Sequence, residues 1–178
     1  MNKTFIGICV LIVLTHISCD NQIKQDIKKM IGQKVNLAHL ELIYPGNVNN
    51  QTLISPKSLF KMIVYIDSTQ CTKCEVSRLI IWNEFYDWFI QNNIPVYFVF
   101  NINYNYELYM DLKRSELNYP AFIDNGHHLK KSFHLSENNL LHTFFTKNDT
   151  IIVVGTPIVK RKLFLLYKME LESCNTQK

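Results

Sequence analysis

The chain has 178 residues, of which 47% are hydrophobic. This length is enough for one α/β domain with a real hydrophobic core once an N-terminal signal is set aside. The 19 basic and 15 acidic residues give a net charge of +4 and are spread along the chain without a dense block. Charge therefore predicts neither a nucleic-acid partner nor a polybasic membrane patch. Five cysteines are too few to indicate a disulfide scaffold.

The first eighteen residues have the pattern of an export signal. Lys3 precedes an apolar run from Phe5 to Leu14, which suits a secretory signal and is short for a membrane span. The run ends in Leu14-Thr15-His16-Ile17-Ser18-Cys19, which resembles the lipobox of bacterial lipoproteins, although His16 stands where an aliphatic residue is usual. The resemblance implies that Cys19 becomes an acylated N-terminus, tethered to a membrane of the bacterial cell envelope and facing the periplasm or the cell exterior. An uncleaved signal anchor or an ordinary secreted protein is the alternative.

Three regions follow from this signal. Residues 1–18 are the predicted signal peptide, residues 19–31 a lipid-anchored tether, and residues 32–178 a single domain. Apolar residues at helical spacing predict a short amphipathic helix in the tether, ended by Gly32. Loose alternation from Val35 to Tyr44, followed by Pro45-Gly46 and an Asn-rich stretch, predicts an N-terminal hairpin.

The next segment carries the strongest pattern. Met62 to Ile66 is a continuously apolar run that is typical of a buried central strand, and Cys71 and Cys74 follow it at once. Helical spacing from Val76 to Phe89 then predicts one long, mostly buried helix, its apolar face widened by Ile80, Ile81, Phe85 and Trp88. The apolar run from Val96 to Phe100 completes a βαβ unit with parallel strands.

The rest of the chain predicts alternating short elements. A helix is expected over about residues 106–117, a short strand over 119–124, a β-hairpin from 140–145 and 150–154, and a closing helix over about 158–171. A thioredoxin fold has this order of elements: a strand, a helix and a strand, followed by a hairpin and a helix. The expected fold class is therefore α/β, with a central mixed β-sheet flanked by helices.

Two cysteines separated by two residues at a strand-to-helix junction indicate thiol-disulfide chemistry. Cys71 would lie at the helix N-terminus, where unpaired N–H groups and the helix dipole favour its thiolate, so it is the predicted nucleophile. Cys74, one turn into the helix, would resolve the mixed disulfide that Cys71 forms with a substrate. Lys73 should further favour the thiolate, whereas Asp67 and Glu75 oppose it. A static disulfide or a vestigial cysteine pair is the alternative.

The segment from Ile63 to Cys74 resembles the strand and active-site turn of the thioredoxin-like superfamily. More closely, the chain is similar to lipid-anchored thiol-disulfide reductases and to the redoxin group of alkyl hydroperoxide reductases and thiol-specific antioxidants. Residues 119–124 resemble the element that such reductases insert before the last hairpin, and residues 143–145 and 151–155 resemble that hairpin. The resemblance implies an oxidoreductase that acts on cysteines of exported proteins without a bound cofactor.

Two departures from this pattern open a second hypothesis. Leu141 stands where these reductases usually carry a cis-proline, and the residues between the cysteines are Thr-Lys rather than a pair containing proline. A peroxidase is not expected, because no proline accompanies Thr69 before Cys71. The alternative function is a non-catalytic lipoprotein that uses the same scaffold as a binding or assembly module.

The remaining histidines and one cysteine give weaker signals. A zinc site would need two ligands besides the cysteine pair, and the candidates stand at no standard spacing: His127, His128, His134, His142 and Cys174. We therefore predict no metal site. His142 would act as a proton acceptor near the thiols if the hairpin lies against the helix start, and otherwise it is a strand residue pointing away. Cys174 is interpreted as an exposed thiol in a polar tail.

Overall fold

The computed structural model describes residues 21–44, 46, 58–67, 72–101, 106–132, 135–136 and 138–175. The predicted signal peptide, Cys19, Thr69, Cys71 and His134 lie outside these residues. Among the described residues, no helix is both long and apolar enough to cross a membrane.

Six strands form one mixed sheet. The strands are β1 (Glu41–Tyr44), β2 (Phe60–Asp67), β3 (Val96–Asn101), β4 (Ala121–Ile123), β5 (Thr143–Lys147) and β6 (Thr150–Val154). Their order across the sheet is β1-β4-β3-β2-β5-β6. The strands β2, β3 and β4 run parallel, whereas β1 pairs antiparallel with β4, and β5 with both β2 and β6. The predicted βαβ unit and the predicted closing hairpin are confirmed.

Strand β2 is the centre of the core, and all eight of its residues are buried. Its side chains alternate between two hydrophobic clusters, because successive residues of a strand point to opposite faces. Met62, Val64 and Ile66 join the larger cluster, whereas Ile63 and Tyr65 join the smaller one. Burial on both faces explains why the sequence of this strand is continuously apolar rather than alternating.

The helices cover both faces of the sheet. They are α1 (residues 21–30), α2 (Thr72–Leu79), α3 (Tyr86–Gln91), α4 (Tyr106–Arg114), α5 (His128–Ser132) and α6 (Arg161–Asn175). Helices α2, α3, α4 and α6 contribute to the larger cluster, while α1 and α5 contribute Met30 and Leu129 to the smaller one. The helix predicted in the tether is therefore present and packs on the sheet.

The prediction of one long helix after the cysteines is wrong. A 3₁₀ helix, Ile80–Phe85, separates α2 from α3. A 3₁₀ helix has three residues per turn, so Trp82 and Phe85 come onto one face, and both are buried. The carbonyl of Trp82 accepts a hydrogen bond from the Tyr119 hydroxyl at 2.9 Å. Ile80 and Ile81, expected to widen the buried face, are each 38% exposed.

The segment from Val35 to Tyr44 was predicted as the first strand of the N-terminal hairpin. This segment and the residues just before it contact two different edges of the sheet. Near β6, the N–H of Gly32 donates to the carbonyl of Ile151, and the N–H of Ile151 donates to the carbonyl of Gln33, both at 2.9 Å. The chain then crosses to the opposite edge, where β1 pairs with β4. Residues 47–57, where the turn and second arm of the predicted hairpin would lie, fall outside the described residues.

The C-terminal part differs from the sequence prediction in two details. Residues Asn139–Leu141 form a 3₁₀ helix, so β5 begins at Thr143 rather than near Leu140. Helix α6 runs to Asn175 and includes Cys174, where the sequence predicts a polar tail. The hairpin turn itself has positive φ at Asn148 and Asp149, as in the two-residue turns that match the twist of paired strands.

Lys61 is a buried cation in the central strand. It is 3% exposed, and its Nζ lies 2.5 Å from Oδ1 of Asp149, in the hairpin turn. Asparagine readily adopts positive φ, so Asp149→Asn should keep the turn while removing the carboxylate. We expect this variant to lower the free energy of unfolding by about 2 kcal/mol, because an uncompensated charge remains buried.

Urea denaturation followed by circular dichroism measures this change. The double variant Lys61→Met with Asp149→Asn is the control, and it should recover most of the lost stability because no buried ammonium remains. A single variant as stable as the parent chain would contradict a stabilising role for the pair.

Candidate active site

The junction between β2 and α2 positions the predicted redox pair. Strand β2 ends at Asp67 and α2 begins at Thr72, so Cys71 directly precedes the helix in the chain. The first N–H groups of a helix have no partners within it and favour negative charge. Cys74 is the third residue of α2, and its side chain is exposed. Cys71 itself lies outside the described residues.

The two carboxylates expected to oppose a thiolate both have cationic partners. Asp67 is 6% exposed, and one of its oxygens accepts a hydrogen bond from Nζ of Lys130 at 2.7 Å. Glu75 contacts the Arg78 guanidinium at 2.9 Å. Partial neutralisation weakens the repulsion that these carboxylates exert on a nearby thiolate. Lys73, expected to favour the thiolate, is exposed.

A polar cluster lies where the three parallel strands end. Asp67, Asn101 and Asp124 are buried at or just beyond the carboxyl ends of β2, β3 and β4. The Asn101 amide donates to Asp67 at 3.3 Å and its carbonyl contacts Nδ1 of His127. Burial, with Asp67 and Asp124 nearby, raises the pKa of the Tyr65 phenol. This cluster stabilises the end of the strand from which the cysteines follow.

Sequence reasoning missed part of this cluster. Helix α5 was not predicted, and it brings Lys130 to Asp67. Asp124 accepts hydrogen bonds from the N–H groups of His128 and Leu129, at 2.9 and 2.8 Å, and so caps α5. The sequence signal that could have indicated α5 is Asp124, which stands four residues before the first residue of this short apolar and basic helix.

A groove of about 440 Å³ lies between α2, the start of β5 and the loop before α6. Its lining includes Cys74, Arg78, Trp82, His142, Thr143 and Val159. The walls are mostly apolar, and Leu140 and Val159 at the rim are 49% and 58% exposed. A groove that holds an exposed cysteine beside apolar walls can receive an extended segment of another protein.

His142 is among the residues that line this groove. The ring is 4% exposed and packs edge-on against Tyr65, with ring centroids 5.7 Å apart. Nε2 lies 2.8 Å from the carbonyl oxygen of Ser136, which can only accept a hydrogen bond. Nε2 therefore carries a hydrogen, and Nδ1 is buried.

Helix α1 supports this arrangement. The Ser136 hydroxyl donates to Asp26 of α1 at 2.7 Å, so α1 holds the segment whose carbonyl orients His142. Leu141, in the place of the usual cis-proline, is 5% exposed and belongs to the smaller hydrophobic cluster together with Met30. Its side chain is thus part of the core beside α1.

A zinc site would need ligands besides the cysteine pair. Among the described residues, no three His, Cys, Asp or Glu side chains come together in a way that could hold a metal ion. His127 and His128 are exposed, and the His128 ring stacks on His39 with centroids 4.3 Å apart. His134 and the Cys174 side chain are not among the described parts of the chain.

Exposure of Cys74 predicts rapid chemical labelling of the folded protein. In a chain carrying Cys71→Ser and Cys174→Ser, Cys74 should react with N-ethylmaleimide within about tenfold of the rate of a free thiol at the same pH. Mass spectrometry of peptides identifies the labelled cysteine, and the same chain in urea gives the rate for full exposure. Labelling that requires urea would show that the thiol is covered.

Comparison with known proteins identifies the fold. No protein-family model matches the chain, and no curated protein matches it. A domain of a "possible thiol-disulfide isomerase" from Cytophaga hutchinsonii is 16% identical, with a TM-score of 0.50 over 80% of this chain and 96% of that one. A mutant form of PrxQ from Xylella fastidiosa is 14% identical, with a TM-score of 0.52 over 80% of this chain and 96% of that one.

A third similar structure is a thioredoxin domain. The thioredoxin domain of a thiol-disulfide oxidoreductase from Bacteroides vulgatus is 9% identical, with a TM-score of 0.50 over 75% of this chain and 97% of that one. At such identities the likeness concerns the fold alone. The mixed sheet, its covering helices and these neighbours show that the chain has a thioredoxin-like fold.

Proposed function

We propose that this protein is an extracytoplasmic, lipid-anchored thiol-disulfide oxidoreductase, with Cys71 as nucleophile and Cys74 as resolving cysteine. The observation that carries the proposal is the position of Cys74, exposed in a groove and one turn into the helix that comes next in the chain after a buried strand. The likeness to a domain of a possible thiol-disulfide isomerase and to the thioredoxin domain of a thiol-disulfide oxidoreductase supports it.

The proposed reaction moves two electrons. The Cys71 thiolate attacks one sulfur of a substrate disulfide, which forms a mixed disulfide and releases the first substrate thiolate. Cys74 then loses its proton and attacks the Cys71 sulfur, so a Cys71–Cys74 disulfide forms and the second substrate thiol leaves. The substrate is reduced and the cysteine pair oxidised, and an external dithiol donor restores the pair. The same steps in reverse oxidise a substrate dithiol.

His142 is proposed to accept the proton that Cys74 loses. It lines the same groove, and its Nε2–H donates to the carbonyl oxygen of Ser136. A thiol of ordinary pKa is only a few per cent ionised near neutral pH, so a base in the groove speeds the resolving step. Lys73 remains a proposed modulator that favours the Cys71 thiolate by its charge.

The proposed cellular location is inferred from the N-terminal sequence. The apolar run and the lipobox-like residues before Cys19 support export and acylation. Acting on the outer side of a membrane, the enzyme would meet cysteines of exported proteins, which form disulfides in that compartment. No nucleic acid and no bound cofactor take part in the proposed reaction.

One observation favours a second candidate, a non-catalytic binding or assembly module. Leu141 is buried in the core at the place where related reductases shape their docking loop with proline. The groove beside it is mostly apolar, as a binding surface for a partner would be. The oxidoreductase needs Cys71 to capture a partner, whereas the binding module does not.

Covalent trapping separates these candidates. The Cys74→Ser variant should accumulate mixed disulfides through Cys71, because the resolving thiol is missing. Non-reducing gels and mass spectrometry of acid-quenched cells measure these adducts, and the double variant Cys71→Ser with Cys74→Ser is the matched control. A Cys74→Ser variant that forms no adducts would contradict Cys71 as the nucleophile. Adducts that persist in the double variant would contradict it as well.

Replacing His142 tests its proposed role. Gln is close to His in size and can donate to the Ser136 carbonyl, but it is not a base. We expect His142→Gln to slow release of the second substrate thiol by about tenfold near neutral pH, with attack by Cys71 unchanged. Stopped-flow kinetics with a model disulfide separate the steps. The rate deficit should vanish at a pH above the ordinary thiol pKa of about 8.5, and a pH-independent deficit would indicate a structural role.

A further inference from the structure

Two segments that are far apart in the chain border one apolar cleft. Ile23 and Ile27 of α1 line it from one side, and Val159, Lys160 and Leu163 line it from the other. The cleft shares Leu140, Thr156 and Val159 with the groove that contains Cys74. Helix α1, the start of α6 and the candidate active site are therefore neighbours.

These two segments concentrate the positive charge of the protein. Residues 21–30 and 159–169 contain seven of the 19 basic residues and one of the 15 acidic residues. The rest of the chain has 12 basic and 14 acidic residues, so the net positive charge of the chain comes from these segments. The acidic member, Asp26, already contacts Ser136 and Lys29. Both segments border the cleft, while Arg161 is paired with Glu84 at 3.0 Å and Glu170 and Glu172 follow the second segment on α6.

Exposed apolar side chains accompany this charge on α6. Leu165, Leu166 and Met169 are 58%, 44% and 61% exposed, and Val159 just before the helix is 58% exposed. With exposed Lys162, the three helical residues follow the spacing of one helix stripe, on the side away from buried Tyr167. Exposed apolar residues beside lysines are typical of helices that lie in a membrane interface.

The predicted lipid anchor lies close to this surface. Cys19 precedes Ile23 by four residues, and an extended chain spans at most about 3.6 Å per residue. The Cα atom of an acylated Cys19 therefore lies within about 14 Å of the Cα atom of Ile23, which lines the cleft with Val159 and Lys160. An anchor of this length would hold the cleft, and with it the start of α6, close to the bilayer.

We infer that α6 docks on an anionic membrane surface through Val159, Lys160, Lys162, Leu165, Leu166 and Met169. We refer to these six residues as the membrane face. This inference rests on the lipid anchor of the proposed function and deepens it, because the Cys74 groove shares Val159 with the membrane face. The substrates are then exported proteins whose cysteines lie close to the membrane surface.

Fluorescence quenching tests this orientation. Full-length acylated protein carrying Met169→Trp is placed in vesicles of brominated phosphatidylcholine and phosphatidylglycerol, and the parent chain gives the background of Trp82 and Trp88. An interfacial helix buries its apolar face about 5–10 Å deep, within reach of the bromines, so the added fluorescence should fall by about half or more. Tyr106→Trp is the matched control, since Tyr106 is 70% exposed on α4, which packs near β1 at the opposite edge of the sheet. Equal quenching at the two positions would overturn the inference.

Charge reversal tests the electrostatic part. Lys162→Glu should lower the quenching at position 169 by about half at low salt, because a basic residue near an anionic surface favours binding. Lys113→Glu changes the same charge on exposed α4 and should leave quenching unchanged. Equal effects of the two variants would contradict membrane docking. So would sedimentation experiments that show a second copy of the chain covering the membrane face.

The same vesicles distinguish failure of this inference from failure of the proposed function. Mass spectrometry reports whether Cys19 is acylated, and thiol trapping reports whether Cys71 and Cys74 cycle. Redox cycling without preferential quenching at position 169 would overturn only the membrane face. Quenching in a chain that is acylated but redox-inactive would support the membrane face and overturn the oxidoreductase.

Discussion

The architecture depends on one buried strand held between two partners. Strand β2 pairs in parallel with β3 and antiparallel with β5, and every one of its side chains is buried. The strand therefore cannot shift by one residue without moving Tyr65 and Ile66 to the wrong clusters. Its end fixes where α2 begins, and with it the place of Cys74. The pairing of β5 also brings His142 to the same groove. One strand thus positions both sides of the candidate active site.

Buried charge at the two ends of β2 is compensated by partners distant in sequence. Lys61 contacts Asp149 near the start of the strand, and Asp67 contacts Lys130 at its end. Breaking such a pair leaves an uncompensated charge, so each pair stabilises one register of the sheet against alternatives. The pair at Asp67 has a second consequence, since it reduces the negative charge near the cysteines. An unpaired carboxylate at that position would favour the protonated thiol more strongly.

The sequence predicts the elements that local patterns specify and misses those that tertiary contacts decide. Strands β2 and β3 were predicted because strands buried on both faces are continuously apolar. The 3₁₀ segment after α2 was missed, since apolar spacing near 3.6 hides a local change to three residues per turn. The partner of β1 and the position of Lys130 depend on residues far along the chain. The cleft between α1 and the start of α6 was also missed, because its two segments are separated by most of the sequence.

The central claim is that Cys71 and Cys74 form a redox-active pair, and the reduction potential of that pair tests it most directly. The chain from residue 20 onward, carrying Cys174→Ser, is equilibrated against glutathione couples, and its thiols are counted after acid quenching. The account predicts a reversible two-electron transition, near about −270 mV for a reductase and near about −120 mV for an oxidant. Thiols that never form an internal disulfide, or a disulfide that reductants cannot reach in the folded protein, would contradict it.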